Sequence, residues 1–508
     1  MAVLKSLFVI RNRSACRSDG LRIRARIPRR VSFRLRWLAG LVLISLVCAA
    51  IGYGAGQQAA APAATSKPAG GKEPSQQSIE LVNQGNGLLD RKDFAGAMAT
   101  YEKAIRTDPA FAAAHRGLGL ALWQQGELGR AWQELNTVAS LEPGSGQAHY
   151  ELGQLAWNIA SGPAGKAAGT AGLSAQDFRA IALSEIQKGA SLEPHNFSMR
   201  LELSEIELEA GQKKEAQADA LGAIPLASNA SERARAHVAL ARAYSATGDE
   251  MRAEGEYKKA IEEEPSSGAA YLGLGQISLS EQNPGQAQKY FMQATQVSPR
   301  LAAAYAALGQ LYIQAHQRGE AFRMLQKAVA LDPTDWQSQY ELGKLLMASG
   351  QTARARDLFT KILAGQPDFL PAGEQLALLQ LHQGDVQGAM AQGQRLVVRN
   401  PHAAEGHRVL ALAYWRQRQP DASLAECAQA LAVDPHSTSM LALQALVLWQ
   451  TKRRKDARMV LREVAHSDPS ILSPVTFCRQ IVCGSADVPL VGEFLSRNRW
   501  ILGPPDAQ

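Results

Sequence analysis

Apolar and small residues return at fixed positions of a 34-residue unit over much of this chain. Pro265, Pro299, Pro333, Pro367, Pro401, Pro435 and Pro469 stand at that interval without a break. Proline lacks an N–H and clashes with a continuing helix, so every unit must end its last helix at the same place. With the proline at position 32, position 7 reads Leu240, Leu274, Leu308, Leu342, Leu376 and Leu410, and position 8 reads Ala241, Gly275, Gly309, Gly343, Ala377 and Ala411. Position 20 reads Ala253, Ala287, Ala321, Ala355, Ala389 and Ser423, and position 24 holds Tyr257, Phe291, Leu325, Phe359, Gly393 and Cys427. The pattern predicts helix A over about positions 2–14 and helix B over about positions 17–30. Small residues at 8 and 20 let the two helices approach, and large residues at 7, 11 and 24 fill the space around that contact. One such hairpin cannot bury its apolar face alone, so the units stack. No strand-type alternation persists anywhere.

The arrangement of a large residue at 4, Leu–Gly at 7–8, Ala at 20, an aromatic at 24, Ala at 27 and Pro at 32 resembles the tetratricopeptide repeat family. The resemblance implies an all-α, right-handed superhelical solenoid of about eleven repeats. It also implies that helix A lines a concave groove, with positions 2, 5, 9, 12 and 13 pointing into it.

The solenoid is expected over residues 78–469. Repeat 1 ends at Pro109 and repeat 2 at Pro143. Repeat 3 starts in phase with His149, Leu152, Gly153 and Ala156, but its proline, Pro194, comes 51 residues after Pro143. Seventeen residues are therefore inserted, within 158–177, where SGPAGKAAGTAG cannot pack a core and reads as a loop on one edge. That loop is either a tolerated insertion or a flap over the groove. Repeat 4, about 197–231, is degenerate: Ser204 and Glu207 occupy positions 8 and 11, and Ser228 replaces the proline. A local change of twist is expected near 224–232. Residues 470–508 break the period. They read as a capping segment, with Phe477, Ile481, Leu490, Phe494 and Trp500 covering the last apolar edge.

Charge divides the chain. Residues 1–36 hold eleven Lys and Arg against Asp19 alone, a net +10 in a chain of +7, so the remainder is −3 and is not a nucleic-acid binder by bulk charge. The run 37–54 (WLAGLVLISLVCAAIGYG) is uncharged and apolar, and reads as a transmembrane helix or signal anchor. A cleaved signal peptide and a lipoprotein at Cys48 are the alternatives. Positive charge on the inner side would place the basic tail, 1–36, in the cytoplasm. Residues 55–77 read as a flexible linker, and the repeats would lie outside the cytoplasm at the inner membrane of a cell envelope.

Catalytic chemistry is absent from the pattern. No phosphate loop, nucleophile elbow or paired carboxylate constellation occurs, and no stretch outside the repeats is long enough for a catalytic domain, so no enzyme is expected and no cofactor is implied. The cysteines show no CxxC spacing and no metal array. Cys478 and Cys483, five apart, are either free thiols or a disulfide closing a small loop. His115, His149, His237 and His407 all occupy position 4 and read as packing residues. On the groove positions, Leu412, Trp415, Leu446 and Trp449 form one candidate ligand patch, and Trp123, Tyr150, Gln154 and Trp157 another; packing against neighbouring helices is the alternative for each. The leading expectation is a membrane-anchored scaffold that binds segments of other proteins in its groove for complex assembly in the cell envelope. The second is a glycan-binding component of envelope polysaccharide export, for which Tyr150, Gln154 and Trp157 are compatible residues.

Overall fold

A computed structural model describes residues 73–162, 172–484 and 487–498. Within them the chain forms eleven A–B helix pairs, from Gln76–Asp90 and Phe94–Thr107 to Thr438–Gln450 and Arg454–Ser467, followed by two short helices, Pro474–Gln480 and Val488–Ser496. Each A helix packs on its own B helix and each B helix on the next A helix. Successive A helices also lie against one another in repeats 1–2, 4–7 and 9–11, which makes theirs the inner face there.

The intrahairpin contact is set by position 8. A Cβ added at Gly275 would stand 2.3 Å from the Phe291 ring, at Gly343 2.6 Å from Phe359, and at Gly309 2.6 Å from Leu325. Those position-24 side chains are fully buried. Where serine takes a small-residue slot, its hydroxyl is satisfied across the same contact. Ser204 donates to the Ala216 carbonyl at 2.9 Å, and Ser423 to the Ala411 carbonyl at 2.8 Å. The A–B turn is equally regular. Position 15 has positive φ at Lys92, Gln282, His316, Arg418 and Lys452 as well as at Gly126, Gly211, Gly248, Gly350 and Gly384. In repeat 6 the Asn283 N–H reaches back to the Ser278 carbonyl at 2.8 Å, the bond that closes a helix through a left-handed residue.

The position-4 histidines do more than pack. His115, His149, His237 and His407 each place Nδ1 2.6 Å from a helix-B glutamate: Glu134, Glu185, Glu256 and Glu426. In three of them Nε2 meets the carbonyl of the preceding repeat's proline, at 3.0 Å for Pro109 and 3.1 Å for Pro143 and Pro401. At His115 the carbonyl and the carboxylate both only accept, so the doubly protonated ring is the form that satisfies both. The clip joins the end of one repeat to both helices of the next. Gln339 makes the neutral version, donating to Pro333 at 2.7 Å. The sequence signal was the spacing of His to Glu, 19 residues in three repeats and 36 in repeat 3, where the insertion intervenes.

Irregularity is concentrated in repeats 3 to 5. In repeat 3, helix A runs on to Ser161 and helix B, Ala175–Leu192, is capped by a reciprocal Ser174–Asp177 box. Part of the inserted stretch, 163–171, lies outside the described residues. Helix B of repeat 4, Lys213–Ala223, ends in a 3₁₀ turn, Ile224–Leu226, and helix A of repeat 5 lengthens to 18 residues, Ala230–Thr247. Glu207, 2% exposed at position 11, accepts from Gln187 at 3.3 Å on one oxygen and has no partner on the other among the described residues. Burial, reinforced by the charge of Asp219, pushes its carboxyl up to about 7.

One part of the expected fold is corrected. Among the described residues no helix is long and apolar enough to cross a membrane, and the comparisons reported below concern repeats alone. The run 37–54, on which a transmembrane helix or signal anchor ahead of the solenoid was expected, lies outside the described residues. The fold carried forward is the all-α solenoid without that helix.

Three outcomes follow from these contacts. Gly275→Val forces the buried Phe291 ring from its place and lowers stability by roughly 1–3 kcal/mol, read by thermal or urea unfolding. His115 is raised above its ordinary 6.5, first by its bond to Glu134. Its stabilising share is therefore complete below that value and disappears as pH rises through the folded-state pKa. His115→Gln should flatten that part of the pH–stability curve; an unchanged curve would refute the charged clip. Glu207 acts on the other side of the ledger. Its folded carboxyl holds a proton more tightly than the unfolded one, so stability falls as pH rises from about 4.5 to about 7. Glu207→Gln should raise the unfolding midpoint at alkaline pH and change it little at pH below 4.5.

Candidate binding groove

The inner face divides into three stretches that differ in what already occupies the groove side chains. At the C-terminal end, Leu412 and Trp415 are each 3% exposed and Leu446 is fully buried. The cover is the chain itself. Phe494 of the helix Val488–Ser496 packs on the Trp449 ring at 5.6 Å between centroids, and Phe477 of Pro474–Gln480 packs on Phe494 at the same distance. Arg416, at position 13 of repeat 10, donates to the Val482 carbonyl at 2.6 Å and faces the Asp487 carboxylate at 3.4 Å. The terminal segment thus folds back over helix A of repeat 11 and reaches repeat 10. It covers part of the patch that the sequence presented as a groove and leaves an open cavity lined by Trp415, Trp449, Gln450 and Leu490. Trp415 donates from Nε1 to Gln450 at 3.3 Å.

At the other end, Trp123 is half-buried and Trp157 is 6% exposed. Tyr150 donates its hydroxyl to Glu202, and Gln154 donates to both oxygens of the same carboxylate, at 2.8 and 3.1 Å. Burial raises the Glu202 carboxyl above its usual range, against the pull of those bonds, and raises the Tyr150 phenol as well. The polar atoms that a glycan would need are spent inside the protein. Neighbouring groove positions are likewise paired. Arg116 grips Glu151, with Nε 2.8 Å from one oxygen, and Gln147 adds a bond at 2.7 Å. Arg242 stands 3.7 Å from Glu205. In repeats 9 and 10, Arg408 holds Glu374 through two bonds of 2.7 Å.

Repeats 6 to 8 differ. Gln276 and Gln310, both at position 9 and both half-buried, have side-chain amides that make no hydrogen bond among the described residues. Beside them on the same face, Leu279, Ile313 and Met347 occupy position 12 and are half-buried. Lys344 continues the position-9 row, 4.9 Å above the Tyr340 ring and 2.8 Å from Glu341. The sequence pattern did not single out this stretch, because it holds no tryptophan at position 12. The available signal was the identity of Gln276 and Gln310 at one phase of successive repeats.

Among the described residues no group of His, Cys, Asp and Glu is arranged to hold a metal ion. Cys478 and Cys483 are free thiols in this structure, both half-buried.

Comparison with known proteins agrees with the fold. A TPR repeat model matches residues 85–126; tetratricopeptide repeat models match 312–376 and 346–413, and 238–299 and 408–470. These matches together cover more than half of the chain. No curated protein matches it. Among solved structures, a tetratricopeptide repeat protein from Parabacteroides merdae is 16% identical over 54% of this chain and 100% of its own, with a TM-score of 0.45. YrrB, a TPR protein with an unusual peptide-binding site, is 20% identical over 35% of this chain and 92% of its own, at 0.31. Pseudomonas aeruginosa pilF is 20% identical over 41% and 94%, at 0.37. Each likeness is one of fold alone. None of the findings supports the expected inner-membrane location, the placement of the repeats outside the cytoplasm, the membrane as a partner or the envelope context, and these expectations are withdrawn with the anchor. The tetratricopeptide repeat fold is non-catalytic, and this chain is not an enzyme. By its repeat pattern, its stacked helix pairs and these matches, the chain belongs to the tetratricopeptide repeat family.

Proposed function

We propose that the chain is a scaffold that holds an extended, largely uncharged segment of another protein along the A helices of repeats 6 to 8. The observation that carries this reading is the contrast along the inner face. Groove side chains at both ends are bonded to the chain's own groups, whereas Gln276 and Gln310 present amides without partners beside Leu279, Ile313 and Met347. A primary amide donates and accepts, so it can bond both the C=O and the N–H of an extended backbone. Such a backbone turns alternate side chains to opposite faces, and one set would lie on the position-12 row. The amide pair serves any sequence; the apolar row selects for aliphatic side chains. The membrane and the glycan have no part in this reading.

Selection from a peptide-display library against the whole chain tests it. Enriched peptides should be extended and aliphatic, with few charges. Gln276→Ala or Gln310→Ala should weaken binding of a selected peptide by about fivefold each, the value of one net hydrogen bond. Selected peptides that bind the double variant as tightly as the parent would sink the proposal, as would a selection that enriches nothing.

A further inference from the structure

We infer that Cys478 and Cys483 are a disulfide-forming pair that locks the terminal segment's clasp on repeat 10. The observation is independent of the groove. The helix Pro474–Gln480 ends with the Cys483 N–H donating to the Cys478 carbonyl at 2.9 Å, across a left-handed Val482 at φ 54°. A bond of this span closes a tight turn that brings its two end residues close together, which a disulfide requires. Cys478 is near enough to the Cys483 thiol to act on it. Both are half-buried, so a small oxidant can reach them.

The turn between the cysteines is also the clasp. Val482 supplies the carbonyl that Arg416 holds, and the Gly484 N–H fixes Asp487, Arg416's other partner, at 2.9 Å. Val482 is β-branched and held where such residues are rarely found, so this turn is maintained by its surroundings rather than by its own preference. A covalent bridge would hold it without them. Cys427 does not compete, since it is fully buried at position 24 of repeat 10. Burial and the neighbouring Cys478 push the Cys483 thiol up, so closure proceeds more readily in mildly alkaline solution.

The reaction is thiol–disulfide exchange with a small disulfide such as oxidised glutathione. Two S–H bonds break, the Cys478–Cys483 S–S bond forms, and one oxidised glutathione leaves as two glutathione thiols carrying the protons. Trypsin supplies the test, because Arg479 lies between the cysteines. The full chain is equilibrated in a glutathione redox buffer, quenched with acid and digested without reductant. The peptide ending at Arg479 should then appear joined to the one beginning at Gln480, lighter than the two together by two hydrogens, and should separate on reduction. The bridged fraction at a fixed redox ratio should be several-fold larger for the folded chain than for the same chain in urea. Cysteines that stay free, cysteines that each carry glutathione, or closure no more favoured than in urea would overturn the inference. Cys483→Ser should abolish the joined peptide and leave helix content unchanged.

Discussion

The closest approach of two helices within one hairpin governs everything else in this protein. At position 8 the chain allows glycine, alanine or a serine whose hydroxyl crosses to the facing carbonyl, and the facing position 24 fills the room this leaves. Because the contact recurs in each unit, it also fixes the rise from unit to unit and therefore the phase of every groove position. Interiors packed at this density transmit a misfit rather than absorb it. One overlarge residue at position 8 would be felt in the neighbouring repeats, since each repeat is stabilised chiefly by the ones beside it.

That dependence explains what could be read from the sequence and what could not. Leu240, Gly275, Ala321 and Phe359 were legible because many units must solve one packing problem in the same way. His115 was legible as a position-4 residue but not as a bridge between Pro109 and Glu134. Its partners lie six residues before and 19 after it, and only the folded hairpin brings them together. The groove was legible in direction alone. Phase says that Trp415 and Trp449 point inward, but not that Phe494 arrives to cover them, because residues beyond Pro469 have no phase. The quiet pair Gln276 and Gln310 went unnoticed for the opposite reason: nothing in their chemistry stands out until the neighbouring groove residues are seen to be engaged.

Repeats 4 and 5 show what happens when the packing rule is relaxed. Glu207 stands where the pattern wants a large apolar or aromatic residue, and it brings a carboxylate into a site that cannot fully solvate it. The lengthened helix Ala230–Thr247 and the 3₁₀ turn Ile224–Leu226 follow directly after. The departures from regular geometry cluster around the departures from regular sequence. Arg242 and Glu205 add a loose ion pair on the inner face at the same junction.

The folded-back terminus has a consequence for how such an array can change its length. Arg416 in repeat 10 and Trp449 in repeat 11 are both engaged by residues beyond Pro469. Those two repeats and the tail form a closing unit whose members cannot be exchanged singly. A duplicated hairpin inserted between repeats 10 and 11 would part the clasp from its anchor, whereas one inserted between repeats 6 and 7 would meet matching surfaces on both sides. Adding or removing a whole hairpin would therefore disturb this solenoid less in its interior than beside the clasp.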